Sequence, residues 1–143
     1  PIYWKKCKLL INKMPSNVSV HYNGEIHPDQ VKMTLSKHDC FLFPTLGENF
    51  GHVIYEALKA GLVLLISNRT PWTDVSEKGV GWALSLKDKV EFSRKIDEIS
   101  MFSTKEFSSI RLLSYLYAKN LASDHDDLQA NKSLFNRVLK LSI

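Results

Sequence analysis

The apolar run Cys40-Phe41-Leu42-Phe43-Pro44-Thr45 leads directly into Leu46-Gly47-Glu48-Asn49-Phe50-Gly51, and then into His52-Val53-Ile54-Tyr55-Glu56-Ala57-Leu58-Lys59-Ala60-Gly61. The first segment predicts a buried strand over residues 40–44, and the last a helix over residues 51–60. A strand, a polar glycine-bearing turn and a helix leave unpaired backbone N–H groups and the positive helix end at the carboxyl edge of the strand. Open α/β sheets bind phosphorylated ligands at that edge. Two carboxylates, Glu48 and Glu56, flank the turn with seven residues between them.

The rest of the chain supplies a frame for this unit. Trp4, Cys7, Leu10 and Ile11 share one face at helical spacing, predicting a helix over residues 3–14 that Pro15-Ser16-Asn17 stops. Residues 18–22 read as a short strand ending at Asn23-Gly24, and residues 28–37 as a helix opened by Pro28. After the central unit come a strand over 62–66, a turn through Asn68-Arg69-Thr70-Pro71, a short helix over 73–78 and a strand over 81–86. Strands and helices alternating at this spacing predict an α/β fold: a parallel sheet with flanking helices and right-handed crossovers. Beyond Leu86 the pattern is helical only, over 90–102, 104–121 and 124–141, and Ser103 with Glu106 makes a capping box. Residues 1–86 are therefore read as the core and residues 87–143 as a C-terminal helical segment of the same domain.

Composition excludes more than it selects. With 143 residues, 44% hydrophobic and 24% charged, the chain reads as one domain or less. Its longest unbroken aliphatic stretch, residues 62–66, is far below the roughly 18 apolar residues of a transmembrane helix. Cys7 and Cys40 lack Cys-x-x-Cys spacing and read as reduced, packed thiols of a cytoplasmic protein. The net charge of +4 is dispersed without a block, so no nucleic-acid partner is expected. The chain opens on Pro1-Ile2, without an initiator Met or a secretory pattern, and is read as a fragment. The histidines lack ligand spacing, and Asp124-His125-Asp126 reads as a helix cap, so no metal is expected.

The central unit resembles the retaining glycosyltransferases of family 4, whose signature is a glutamate, seven residues and a second glutamate, with Phe-Gly just after the first and small residues after the second. Glu48, Phe50, Gly51, Glu56, Ala57 and Gly61 fit it, and the resemblance runs from about Tyr3 to about Leu86 through Tyr22-Asn23-Gly24-Glu25-Ile26 and Thr70-Pro71-Trp72. The resemblance implies a Rossmann-like, incomplete donor domain of a two-domain enzyme. Its reaction moves a sugar from a nucleotide-diphosphate sugar to a saccharide or lipid-linked acceptor, without a further cofactor. It gives Glu48 the donor sugar's hydroxyls as the catalytic-site carboxylate and Glu56 the ribose hydroxyls. The backbone around Asn49, Phe50, Gly51 and His52 faces sugar and β-phosphate, Gly24 and Ile26 approach the base, and Thr70 or Arg69 lies near the donor.

Each assignment has a plainer alternative. Glu48 can be a charge at a helix start, Glu56 a solvated position, His52 helix-start packing, Gly24 to Ile26 a turn, and Thr70-Pro71-Trp72 a turn packing Trp72 on the core. The resemblance also places outside this chain an acceptor domain, a route to peripheral membrane association, two strands between 18–22 and 40–44, and a basic pair facing the pyrophosphate. Residues 18, 20 and 41–43 are then expected to be unusually exposed, or the sheet to re-pair across the vacancy, and the chain alone is expected to be inactive. The alternatives are a nucleotide-sugar epimerase on the same scaffold and a non-catalytic nucleotide-sugar-binding module.

Overall fold

The computed structural model describes residues 2–122. Its centre is strand β2 (Val63–Ser67), five consecutive buried residues. A strand this apolar is stable only with both neighbours paired and both faces covered. Strand β1 (Cys40–Phe43) lies parallel to it on one side, with Cys40 opposite Val63 and Phe43 opposite Ile66. Strand β3 (Gly81–Leu84) lies parallel on the other, with Leu64 opposite Gly81 and Ser67 opposite Leu84. The order is β1-β2-β3. Only glycine can begin β3 here, because a Cβ on Gly81 would stand 1.9 Å from the Leu64 carbonyl oxygen.

Alternation along β2 divides the core. Leu64 and Ile66 pack under helix α3 (His52–Lys59) and helix α5 (Thr104–Ala122), against Ile54, Ala57, Leu58 and Ala118. Val63 and Leu65 face the other layer, where Ile99 and Phe92 of helix α4 (Lys89–Ser100) meet Trp82, Phe102 and Phe107. Each fully buried Leu or Ile in these layers contributes about 1.5–3 kcal/mol. Polar bonds fix α5 on the sheet: Ser114 Oγ donates to the Leu62 carbonyl (3.1 Å), and Arg111 donates to the Asp39 carboxylate (2.7 Å). Lys95, almost fully buried, pairs with Glu98 at 2.8 Å and stands 4.2 Å over the Trp82 ring.

The predicted α/β parallel sheet is present, with corrections. The strand expected over 18–22 does not form; the segment is exposed throughout and makes no ladder. An isolated strand cannot satisfy its backbone, and among the described residues no strand lies beside the open edge of β1. Val18 and Val20 are exposed as expected, and so is Leu42, at 49%. Phe41 and Phe43 are not, because they pack against the α3 layer. The first helix, α1 (Ile2–Ile11), stops short of residue 14, and α2 (Pro28–Leu35) short of 37. The helix expected over 73–78 tightens to a 3-10 turn, Thr73–Val75, and a turn through residues 76–79 follows. The helix of 124–141 and Asp124-His125-Asp126 lie outside the described residues.

Candidate functional site

The turn after β1 is held from β2. Ser67, the last residue of β2, is buried, and its hydroxyl donates to the Thr45 carbonyl (2.6 Å) and accepts from Arg69 N–H (3.3 Å). Glu48 N–H donates to the Arg69 carbonyl (3.3 Å), joining the two loops at the carboxyl ends of β1 and β2. The Thr45 hydroxyl closes a local turn by donating to the Gly47 carbonyl (2.9 Å). Thr70 is 5% exposed, and its hydroxyl is committed to the second loop: it donates to Ser67 O (3.4 Å) and accepts from Trp72 N–H (3.3 Å).

Gly51 is the N-cap of α3, with φ +81° and no side-chain cap. The left-handed conformation is costly for other residues. A Cβ there would also stand 2.9 Å from Ile54 Cδ1, 3.1 Å from Trp72 Nε1 and 3.2 Å from Glu48 Cγ. Glycine is thus demanded by the protein's own packing, before any ligand approaches. Among the described residues, the N–H groups of Phe50, Gly51, His52 and Val53 have no hydrogen-bond partner. Asn49 N–H differs from the expectation: it donates to its neighbour Glu48's carboxylate at 2.9 Å. The free donors therefore run over residues 50–53 and not 49–52.

Glu48 and Glu56 are both half-buried, and neither has an ion pair among the described residues. Glu56 sits in the second turn of α3, away from the stripe of Ile54, Ala57 and Leu58 that enters the core. Its carboxylate accepts no hydrogen bond there, and hydroxyl donors would satisfy it. His52 is exposed, its ring 4.6 Å from that of Phe50. Arg69 is exposed and unpaired beside the Glu48 backbone.

The structure brings Glu48, Asn49, Phe50, Gly51, His52 and Glu56 onto one turn and helix, with Thr70 in the adjoining loop. Gly24 and Ile26 lie apart, in the exposed segment that forms no strand. Ile26 lines a cavity of about 420 Å3 with Glu25, Gln30 and His38, and no residue of the 48–52 turn lines it. Sequence reasoning missed Ser67 and the indole N–H of Trp72, which donates to the Phe50 carbonyl. It also missed Asp74, whose carboxylate accepts from the Tyr117 hydroxyl (2.8 and 2.9 Å). Ser67 was readable as the polar end of an aliphatic run; the Asp74–Tyr117 contact joins residues 43 apart and leaves no sequence signal.

Among the described residues no group of three His, Cys, Asp or Glu side chains is placed to hold a metal ion. None of their helices is long and apolar enough to cross a membrane. No curated protein and no solved structure matches this chain. The family model for glycosyl transferases group 1 matches residues 3–102, a span that contains the whole sheet, the 48–53 turn and both glutamates. With a parallel α/β sheet, an opened helix start at its carboxyl edge and that match over most of its length, the chain belongs to the group 1 glycosyltransferase family.

Proposed function

We propose that the chain is the donor-binding part of a retaining glycosyltransferase of family 4, transferring a sugar from a nucleoside diphosphate to a saccharide or lipid-linked acceptor. The observation that carries this reading is the run of four free N–H groups at residues 50–53, set between two carboxylates that lack any counter-ion among the described residues. The donors suit an anionic β-phosphate, and the helix end adds about half a positive charge. The carboxylates suit hydroxyls, each charge-assisted bond contributing about 1.5–3 kcal/mol.

In this reading Glu56 accepts the ribose hydroxyls. Glu48 releases Asn49 N–H and turns to the donor sugar, while residues 50–53 hold the phosphate. Ser67 and Trp72 fix the turn in place and Arg69 supplies local positive charge. As the anomeric bond breaks, negative charge grows on the departing diphosphate, and N–H groups already aimed at it lower the barrier. Half a helix charge and one arginine leave a diphosphate beside two glutamates incompletely neutralised. Further cations, and the residues that hold the reacting unit of the acceptor, then belong to the other half of a two-domain enzyme, with the described sheet as the core of its donor domain.

Transfer by the full-length protein from a panel of nucleotide-sugars to saccharide and lipid-linked acceptors tests the reading, with the anomeric configuration of the product followed by NMR. Retention of the donor's configuration is predicted. Clean inversion, or interconversion of the nucleotide-sugar without transfer, contradicts it.

A further inference from the structure

A second cavity, of about 520 Å3, opens beside the turn and is lined by Phe50, Tyr55, Trp72, Asp74, Tyr117 and Leu121, among others. Its size falls within the roughly 300–1,000 Å3 of small-molecule sites. Neither Glu48 nor Glu56 lines it. Phe50, half-exposed, is its one residue from the 48–53 turn.

The walls are aromatic and set at angles. Trp72 meets Phe50 at 77° and Tyr117 at 88°, while Tyr55 lies within 28° of parallel to it. Rings crossed in this way form a cup, offering edges and partial faces to apolar C–H groups. One charged group stands in the wall, the half-buried carboxylate of Asp74. It receives a single proton donor, the Tyr117 hydroxyl, at 2.8 and 2.9 Å. Burial first, and then this carboxylate, push the Tyr117 hydroxyl above its ordinary range, so it stays protonated as the donor. No cation pairs with Asp74 among the described residues. Lys78 lies 5.9 Å from the Tyr117 ring but lines a neighbouring cavity and not this one.

An ionised carboxylate is an acceptor only, with room for more donors than one hydroxyl supplies. It favours a ligand carrying hydroxyls and disfavours one carrying phosphate. A pyranose ring offers both requirements, an apolar C–H face for the aromatic cup and adjacent hydroxyls for Asp74. We propose that this cavity is a subsite for a neutral saccharide unit, distinct from the donor site and holding a sugar of the acceptor away from the reacting one. The acceptor assignment rests on the transferase reading above; the saccharide class rests on the cavity alone.

The test follows the Trp72 indole N–H resonance of the full chain during titration with methyl glycosides of glucose, galactose, mannose and N-acetylglucosamine, with uridine and guanosine diphosphates titrated in parallel. At least one neutral glycoside is predicted to shift that resonance. Asp74→Asn, which retains an oxygen for Tyr117, should weaken glycoside binding about tenfold or more, the consequence of losing a charge-assisted bond. If that variant does not fold, Tyr55→Ala, which removes part of the cup, should weaken it in the same way. Failure of every glycoside to shift the resonance, unchanged affinity in the folded variant, or displacement of the glycoside from the cavity by a diphosphate would overturn the proposal. Glycoside binding without any diphosphate binding would instead contradict the donor-site reading and leave the saccharide subsite standing.

Discussion

The indole N–H of Trp72 donates to the carbonyl oxygen of Phe50 at 2.5 Å, so a residue after β2 fixes the backbone immediately before the Gly51 cap of α3. Trp72 is 8% exposed, and Phe50 is 54% exposed. A buried anchor thus sets the orientation of a turn whose Phe50 and His52 side chains stay exposed.

Replacing Trp72 by Phe keeps most of the ring packing and removes the N–H. The Phe50 carbonyl loses its partner, and stability should fall by about 0.5–1.5 kcal/mol for the bond, plus the packing of the lost ring atoms. Chemical denaturation of the variant measures this. Affinity for a nucleoside diphosphate should fall as well, because the N–H groups of residues 50–53 lose their fixed direction.

Much of this arrangement is legible in the amino-acid sequence. The strand, turn and helix around Glu48 and Glu56 could be read because local signals agree there: an apolar run, a glycine at the cap, and apolar residues at helical spacing. The Ser103 capping box appears as expected, with Glu106 accepting from Ser103 N–H at 2.7 Å. Residues 18–22 misled for the opposite reason. Alternating Val18, Val20 and Tyr22 carries a strand pattern, but a strand exists only through its partner, and among the described residues none flanks β1 on its open side. Gly51 is legible as a residue of the glutamate signature, but its left-handed φ and the closeness of Ile54 Cδ1, which demand glycine there, are not. The Asp74–Tyr117 contact depends on how α5 folds back over α3, which no local pattern encodes.

Gly51→Ala should destabilise the chain by at least about 1–2 kcal/mol from the left-handed conformation alone, with more from the contact at Ile54 Cδ1. The contact part is separable. Ile54→Val removes that atom, so it should cost less in the Gly51→Ala background than in the wild type. Equal costs in the two backgrounds, read from a double-mutant cycle of unfolding free energies, would show that the contact is unimportant.

Burial, and then the charge of Asp39, push the Cys40 thiol up to about 11 from an ordinary 9.0. The folded chain therefore holds this proton more tightly than the unfolded chain does. Its contribution to stability is complete below pH 9 and is lost as pH rises toward 11. Cys40→Ser should flatten the decline in unfolding free energy over that interval. At neutral pH, alkylation of Cys40 should be slow in the folded chain and fast after denaturation, as peptide mass spectrometry can follow.

The division of labour between the two glutamates is the centre of the account, and calorimetry on the full-length protein tests it most directly. Titrations with a nucleoside diphosphate and with the matching nucleotide-sugar are compared for the wild type, Glu48→Ala and Glu56→Ala. Glu56→Ala should lose about tenfold or more in affinity for both ligands, since one charge-assisted bond to the ribose exceeds the ~1.4 kcal/mol of one decade. Glu48→Ala should bind the free diphosphate as the wild type does and lose affinity, or transfer, only where the sugar is present. Equal loss of diphosphate affinity in both variants, or none in either, would contradict the assignment.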